Sequence, residues 1–174
     1  MSNSFEYEFD FTPEIGEAIE ILPGLKWLRL PLPFLLGHIN VWLLRDGQGW
    51  AIVDTGLYTQ ATRDVWTQVF AGVLDSEPVS KVVVTHMHPD HVGCAGWLCE
   101  RFKVELFMSR DEYLLCRVLL SDTGGPAPAE SQDFYHGAGF SQEQMSLYVQ
   151  MFGSFGKVVH SLPKSFHRLH YKRP

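Results

Sequence analysis

The chain has 174 residues, 45% hydrophobic, 20% charged and 13% aromatic, with a formal net charge of −6. That composition excludes disorder, collagen and coiled coil, and a single domain of this length buries roughly 70% of its unfolded surface without disulfides. Glu6, Glu8, Asp10, Glu14, Glu17 and Glu20 crowd the start without a base and the remainder is neutral, so there is no basic footprint and no nucleic-acid partner is expected.

Residues 1–24 read as an acidic lead-in ending at the Pro23-Gly24 turn. Strands are predicted at Leu25 to Pro31, Ile39 to Arg45 and Trp50 to Asp54, the last two joined by the hairpin loop Asp46-Gly47-Gln48-Gly49. Thr59 to Leu74 is predicted as a helix, because Ala61, Val65 and Val69 recur at four-residue steps beside Trp66 and Phe70. Val82 to Val84 is a short β-branched run suited to a strand buried on both faces. The polar cluster Thr85 to His91 follows, then a helix over His91 to Phe102, a strand over Val104 to Met108 and a helix over Ser109 to Leu120. Strands alternating with helices imply an α/β layered arrangement.

Beyond Asp122 the pattern changes. Gly and Pro mark residues 123–140 as a loop, and Ser141 with Gln144 makes a capping-box signature ahead of Met145, Tyr148, Val149 and Phe152 on one helical face. Residues 121–165 therefore read as a helical insertion that covers the body, and 166–174 as a basic tail. The whole is read as one domain with a matched core over residues 25–120.

Cys94, Cys99 and Cys116 form no C-x-x-C pair, and this odd count in a chain too large to need stapling indicates a reducing compartment. The start lacks the basic and apolar regions of a signal peptide, and the charge-free run Leu30 to Leu44 is broken by Pro31, Pro33, Gly37 and Asn40. A cytoplasmic protein without a membrane partner is expected.

Residues 85–91 read THMHPDH, a density of metal-binding side chains that composition alone produces about once in a thousand such chains. In an extended segment leaving a buried strand, residues two apart point the same way, so His86 and His88 can reach one cation. Asp90 and His91 lie beyond Pro89, where the chain turns into a helix, and can hold a second. Two divalent ions about 3.5 to 4 Å apart share a hydroxide and polarise a carbonyl or phosphoryl oxygen. Imidazole and carboxylate donors suit zinc first, with iron or manganese as alternatives.

With this motif the sequence resembles the metallo-β-lactamase superfamily, whose His-x-His-x-Asp-His signature stands here as His86, His88, Asp90 and His91. Asp54-Thr55-Gly56 is similar to the family's Asp-x-Gly turn, and the order of hairpin, helix, buried strand and motif matches its N-terminal half. The resemblance implies an αββα sandwich, here apparently truncated to its N-terminal half plus a helical insertion. It implies His86 and His88 on the first metal, Asp90 and His91 on the second, and Asp90 as the catalytic carboxylate that orients the metal-bound hydroxide. The family's second half supplies a third histidine, a bridging aspartate and a last histidine. The chain ends at Pro174 before any of them, and His167 with His170 are read as solvated tail residues rather than substitutes.

Asp54 is read as a support of the motif loop, His38 as an ordinary loop histidine, and His136 and His160 as unremarkable. The apolar tip Pro33 to Leu36 either lines a substrate groove or packs against the helical insertion, and Cys94 and Cys99 belong in the core. Two functions follow from the resemblance. The first is a zinc-dependent hydrolase whose metal-bound hydroxide attacks a small-molecule acyl substrate such as a thioester or lactone. The second is a catalytically incompetent metal-binding fragment that acts only with a partner, or as a homodimer through an exposed sheet face. An iron-dependent persulfide dioxygenase-like enzyme is a lesser alternative.

Overall fold

Period-two alternation of apolar residues lets a strand bury one face and leave the other free. In the computed structural model, which describes residues 8–74 and 77–170, four segments form consecutive antiparallel strands, with that alternation plain in the second and third: β1 (Ala18–Leu22), β2 (Leu25–Pro31), β3 (His38–Asp46) and β4 (Gly49–Val53). β5 (Val79–Val83), β6 (Glu105–Met108) and β7 (His167–Arg168) continue the same sheet in parallel, and strand order follows chain order throughout. Glu6, Lys172 and Arg173 lie outside the described residues.

Two of these strands correct the sequence reading. The lead-in assigned to residues 1–24 contains β1, which pairs with β2 so that Ala18 faces Leu28 and Ile19 faces Trp27. The basic tail contains β7, where His167 pairs with Phe107 and Arg168 with Met108 at the far edge of the sheet.

Helix α1 (Gln60–Ala71) opens on Thr59, whose hydroxyl accepts the Thr62 N–H at 3.2 Å, and stops at Gly72. The predicted helix over 91–102 is instead two, α2 (Pro89–Val92) and α3 (Ala95–Phe102), parted at Gly93 and Cys94. α4 (Arg110–Ser121) starts on Ser109 with Asp111 and Glu112 in its first turn, where acids favour the positive end of the helix dipole. The stretch read as a loop contains α5 (Ala129–Gly137), and α6 (Gln142–Met151) begins with the expected capping box. There the Ser141 N–H donates to Gln144 Oε1 at 2.8 Å and the Gln144 N–H to Ser141 Oγ at 3.3 Å. Among the described residues no helix is long and apolar enough to cross a membrane.

On one face of the sheet Leu28, Leu30, Val41, Leu43, Ile52, Val82 and Leu106 are wholly inaccessible and join Trp66, Val69, Leu98 and Cys116 of the helices in one core. Burying each of the larger side chains is worth about 1.5–3 kcal/mol. The alternate residues Trp27, Trp42, Val53, Val83 and Phe107 are register neighbours across five strands and form a row on the opposite face. Trp27 and Trp42 stack there with ring centroids 6.1 Å apart.

Candidate metal centre

β4 and β5 run parallel, so their carboxyl ends meet at one rim, which is where sites of α/β sheets gather. β4 runs into Asp54-Thr55-Gly56 and β5 into Val84 and the THMHPDH segment. The two turns are stitched together. The Asp54 N–H donates to the Val83 carbonyl at 2.9 Å, and the Thr55 N–H and hydroxyl both donate to the His91 carbonyl, at 2.8 and 2.7 Å. The Cys94 N–H is shared between the Gly56 carbonyl and Thr55 Oγ1, at 3.0 and 3.1 Å. Gly93 packs so closely on this turn that a Cβ would lie 2.5 Å from the Gly56 carbonyl oxygen, and only glycine fits.

Asp54 adopts a left-handed backbone with φ of 62°, is 5% exposed, and aims its carboxylate at the motif. Oδ1 accepts the Thr85 N–H at 2.8 Å, and Oδ2 accepts the Thr85 hydroxyl at 2.8 Å and His91 Nδ1–H at 2.9 Å. A hydroxyl has a single proton. Thr85 directs it to Asp54, so Thr85 Oγ1 accepts from His86 Nδ1–H, 2.9 Å away. One carboxylate therefore directs the proton of the neutral His86 and His91 rings to Nδ1, so that Nε2 is the atom each ring presents to a metal.

The side chains fall into two pairs. His86 Nε2 and His88 Nδ1 converge to 3.0 Å. His91 Nε2 stands 3.6 Å from Asp90 Oδ2. The pairs are adjacent, since the His86 and His91 rings lie 4.0 Å apart between centroids. Zinc held tetrahedrally by two imidazoles at about 2.0–2.1 Å sets their nitrogens about 3.3 Å apart, so the first pair needs only a slight opening to take an ion. Among the described residues no three His, Cys, Asp or Glu side chains stand together around one metal position; the fit is to two ligands per ion.

Protonation differs between the pairs. Burial, reinforced by the neighbouring His91 and His88, pushes His86 below the ordinary histidine value. Burial acts the same way on His91, but the hydrogen bond and charge of Asp54, with Asp90 adding, outweigh it and raise its pKa. Cys94 is no competing ligand: burial pushes its thiol up to about 12, and Sγ donates to the Leu57 carbonyl at 3.3 Å.

Two residues of the site carried no sequence signal of their role. Thr85 was only the first residue of a polar cluster. Glu112, on α4, accepts the Met87 N–H at 2.7 Å and anchors the middle of the loop. Other candidates lie elsewhere: His167 stacks on Phe107 and pairs with Glu105 at 2.8 Å, and His160 sits edge-on to Tyr58. Of the apolar tip, Phe34 lines a cavity of about 580 Å³ that reaches Pro89 and Asp90, and Leu35 is fully exposed.

A mixed sheet with helices against one face, delivering a histidine-rich loop beside an aspartate turn at its parallel rim, defines a metallo-β-lactamase type of scaffold. The chain belongs to the metallo-beta-lactamase superfamily, whose family model matches residues 35–143. It is similar to a beta-lactamase domain protein from Burkholderia ambifaria, with 39% identity and a TM-score of 0.76 over 92% of this chain and 44% of that one. It is also similar to the metallo-beta-lactamase family protein TTHA1429 from Thermus thermophilus, with 27% identity and a TM-score of 0.63 over 87% of this chain and 47% of that one. The probable metallo-hydrolase YybB of Bacillus subtilis (strain 168) is 32% identical over 85 residues, which are 49% of this chain and 33% of YybB. The chain thus spans less than half the length of each of these relatives.

Proposed function

We propose that the protein is a metal-dependent hydrolase of an acyl substrate, a thioester or a lactone. His86 and His88 hold one divalent ion, and Asp90 and His91 hold the other, with zinc preferred. The observation that carries this reading is the 3.0 Å convergence of His86 Nε2 and His88 Nδ1, with the His86 tautomer set through Thr85 by Asp54. The donor set of imidazole and carboxylate supports zinc, and names such as that of YybB support hydrolysis. A divalent ion bound here supplies Lewis acidity and a water of lowered pKa. The chain's own residues do the rest. Through Thr85 for His86 and directly for His91, Asp54 directs the proton of the neutral ring to Nδ1, Glu112 holds the loop through Met87, and Asp90, at the cavity wall, orients the attacking water.

A second reading is favoured by the ligand count. Zinc sites ordinarily have three or four protein ligands, and each pair here supplies two. The ions are then completed by residues of a partner, and this chain alone binds zinc weakly and turns over no substrate.

Zinc competition against a chromophoric chelator, with parallel hydrolysis assays on thioesters and lactones, tests both. Weak zinc uptake that His88→Ala abolishes, with an unchanged circular dichroism spectrum, is the expected result. Zinc uptake indifferent to His88→Ala overturns the metal assignment. Turnover by this chain that His88→Ala lowers by orders of magnitude keeps the hydrolase and removes the need for a partner.

A further inference from the structure

The cavity beside Asp90 has a composition that the metal pairs do not require. It measures about 580 Å³, within the range of small-molecule sites. Leu57 forms part of its wall from the aspartate turn and Leu119 from α4, while Phe152, Phe155 and Val158 come from the segment after α6. These walls are fixed to the body rather than merely lying near it. The Gly124 N–H donates to the Gly153 carbonyl at 2.8 Å, the Gly156 N–H to Thr123 Oγ1 at 2.9 Å, and the Tyr58 N–H to the Val158 carbonyl at 2.8 Å. These walls are therefore held in place before any ligand arrives, which lowers the ordering cost of binding.

Its charge is equally selective. The charged groups on its wall are Asp90 and Asp122, and no lysine, arginine or histidine lines it. In the metal-free chain two carboxylates without a base disfavour a carboxylate or phosphate ligand, and a wall of leucine, phenylalanine and valine offers few hydrogen-bond partners to a sugar. An uncharged hydrocarbon loses nothing there and gains on every methylene it buries.

We infer that this cavity receives the unbranched hydrocarbon chain of the acyl substrate, with the acyl carbonyl at the Asp90 end and the tail against Leu119, Phe152 and Phe155. The inference rests on the hydrolase reading for the identity of the acyl group, but the cavity's preference for a neutral alkyl chain is testable without metal or turnover.

The probe is N-phenyl-1-naphthylamine, a neutral dye whose fluorescence rises in apolar surroundings, bound to the metal-free full chain and displaced by straight-chain amides from butanamide to decanamide. Each added methylene is expected to strengthen displacement about threefold to fourfold until the cavity is filled. Decanoate is expected to bind more weakly than decanamide. Leu119→Trp, which fills the cavity, and Phe34→Asp, which adds an acid on an exposed tip, should each weaken decanamide at least tenfold. Trp42→Lys, on the opposite face of the sheet, should leave it unchanged. Phe34→Asp keeps the test decisive if Leu119→Trp does not fold. Displacement independent of chain length, or lost in Trp42→Lys and retained in Phe34→Asp, overturns the inference. Failure of the hydrolase reading is separate, because it shows as zinc uptake indifferent to His88→Ala.

Discussion

Asp54 grips Thr85 at two points, accepting its backbone N–H at 2.8 Å on one carboxylate oxygen and its hydroxyl at 2.8 Å on the other. Through this contact the end of β4 dictates which nitrogen of the neutral His86 ring carries its proton, with Thr85 as the relay between them. The same carboxylate sets His91 directly at 2.9 Å.

Asp54→Asn tests that arrangement. Asparagine tolerates the left-handed backbone, but its amide group offers a donor where the carboxylate accepted. With its oxygen on the Thr85 N–H, the NH₂ faces His91 Nδ1 and moves the ring proton to Nε2, the atom a metal needs. Zinc affinity should fall about tenfold to a hundredfold. Asp54→Ala should add a stability loss of about 1–3 kcal/mol by leaving the Thr85 N–H unpaired. Zinc competition and urea unfolding on both variants measure the two effects; unchanged zinc affinity in Asp54→Asn would refute the tautomer argument.

The two histidine shifts have opposite signs. His91 is raised, so the native state holds its proton more tightly than the unfolded chain does; that stabilisation is complete below the ordinary value of 6.5 and is lost as pH rises through the native pKa. His86 is lowered, so its contribution is present above 6.5 and is lost as pH falls toward its native pKa. Nitrogen-detected NMR titration of the metal-free chain should place His86 below and His91 above 6.5, and zinc uptake should rise with pH as His91 deprotonates.

Gly93→Ala should damage the fold more than its size suggests. The added Cβ would lie 2.5 Å from the Gly56 oxygen, 2.6 Å from the Pro89 oxygen and 2.7 Å from the Tyr58 nitrogen, all of them backbone atoms that cannot rotate away. Overpacking of this kind costs about 1–3 kcal/mol or more. Thermal unfolding followed by circular dichroism gives the loss, and an unchanged midpoint would mean that the two turns are not locked.

All three thiols are buried and pushed up to about 12 by that burial. At pH 8 they should resist Ellman's reagent in the native chain and react at once in urea. The unfolded chain releases these protons near 9, so from there toward 12 the native state is progressively destabilised. Rapid native labelling of any of the three would contradict the buried assignment.

The row Trp27, Trp42, Val53, Val83 and Phe107 presents a continuous apolar strip opposite the helices. A strip of that kind favours association, and the isolated chain should self-associate in sedimentation equilibrium. Trp42→Lys should weaken this association without changing the helical spectrum. A wild-type chain that stays monomeric at high concentration would count against the strip as a contact surface.

Much of this was legible beforehand where one residue pattern decides the structure. Runs rich in Val, Ile, Leu and Trp exposed β2, β3 and β4, four-residue spacing exposed α1, and Ser141 with Gln144 announced the start of α6. β1 was hidden because Ala18–Leu22 sits among acids and owes its strand to pairing with β2. α5 was hidden because none of its residues is buried and no apolar face marks it; its support is tertiary, including the Tyr148 hydroxyl donating to Ser131 Oγ at 2.7 Å and Tyr135 packed 4.6 Å from the Tyr148 ring. The motif histidines declared themselves by density, and Asp54 by the turn it opens. Glu112 could not, since its tie to Met87 joins residues 25 positions apart.

The contact between Gly93 and the Gly56 carbonyl bears on how such a centre can be rebuilt elsewhere. Residues 54–56 and 85–93 behave as one interlocked cassette, with the glycines as its seam and Asp54 as its internal gauge. Transplanting the histidine loop alone onto another parallel sheet would deliver imidazoles with no fixed tautomer and no seat for the helix behind them. Moved together, on any two adjacent parallel strands with the same spacing, the two segments carry their own alignment with them.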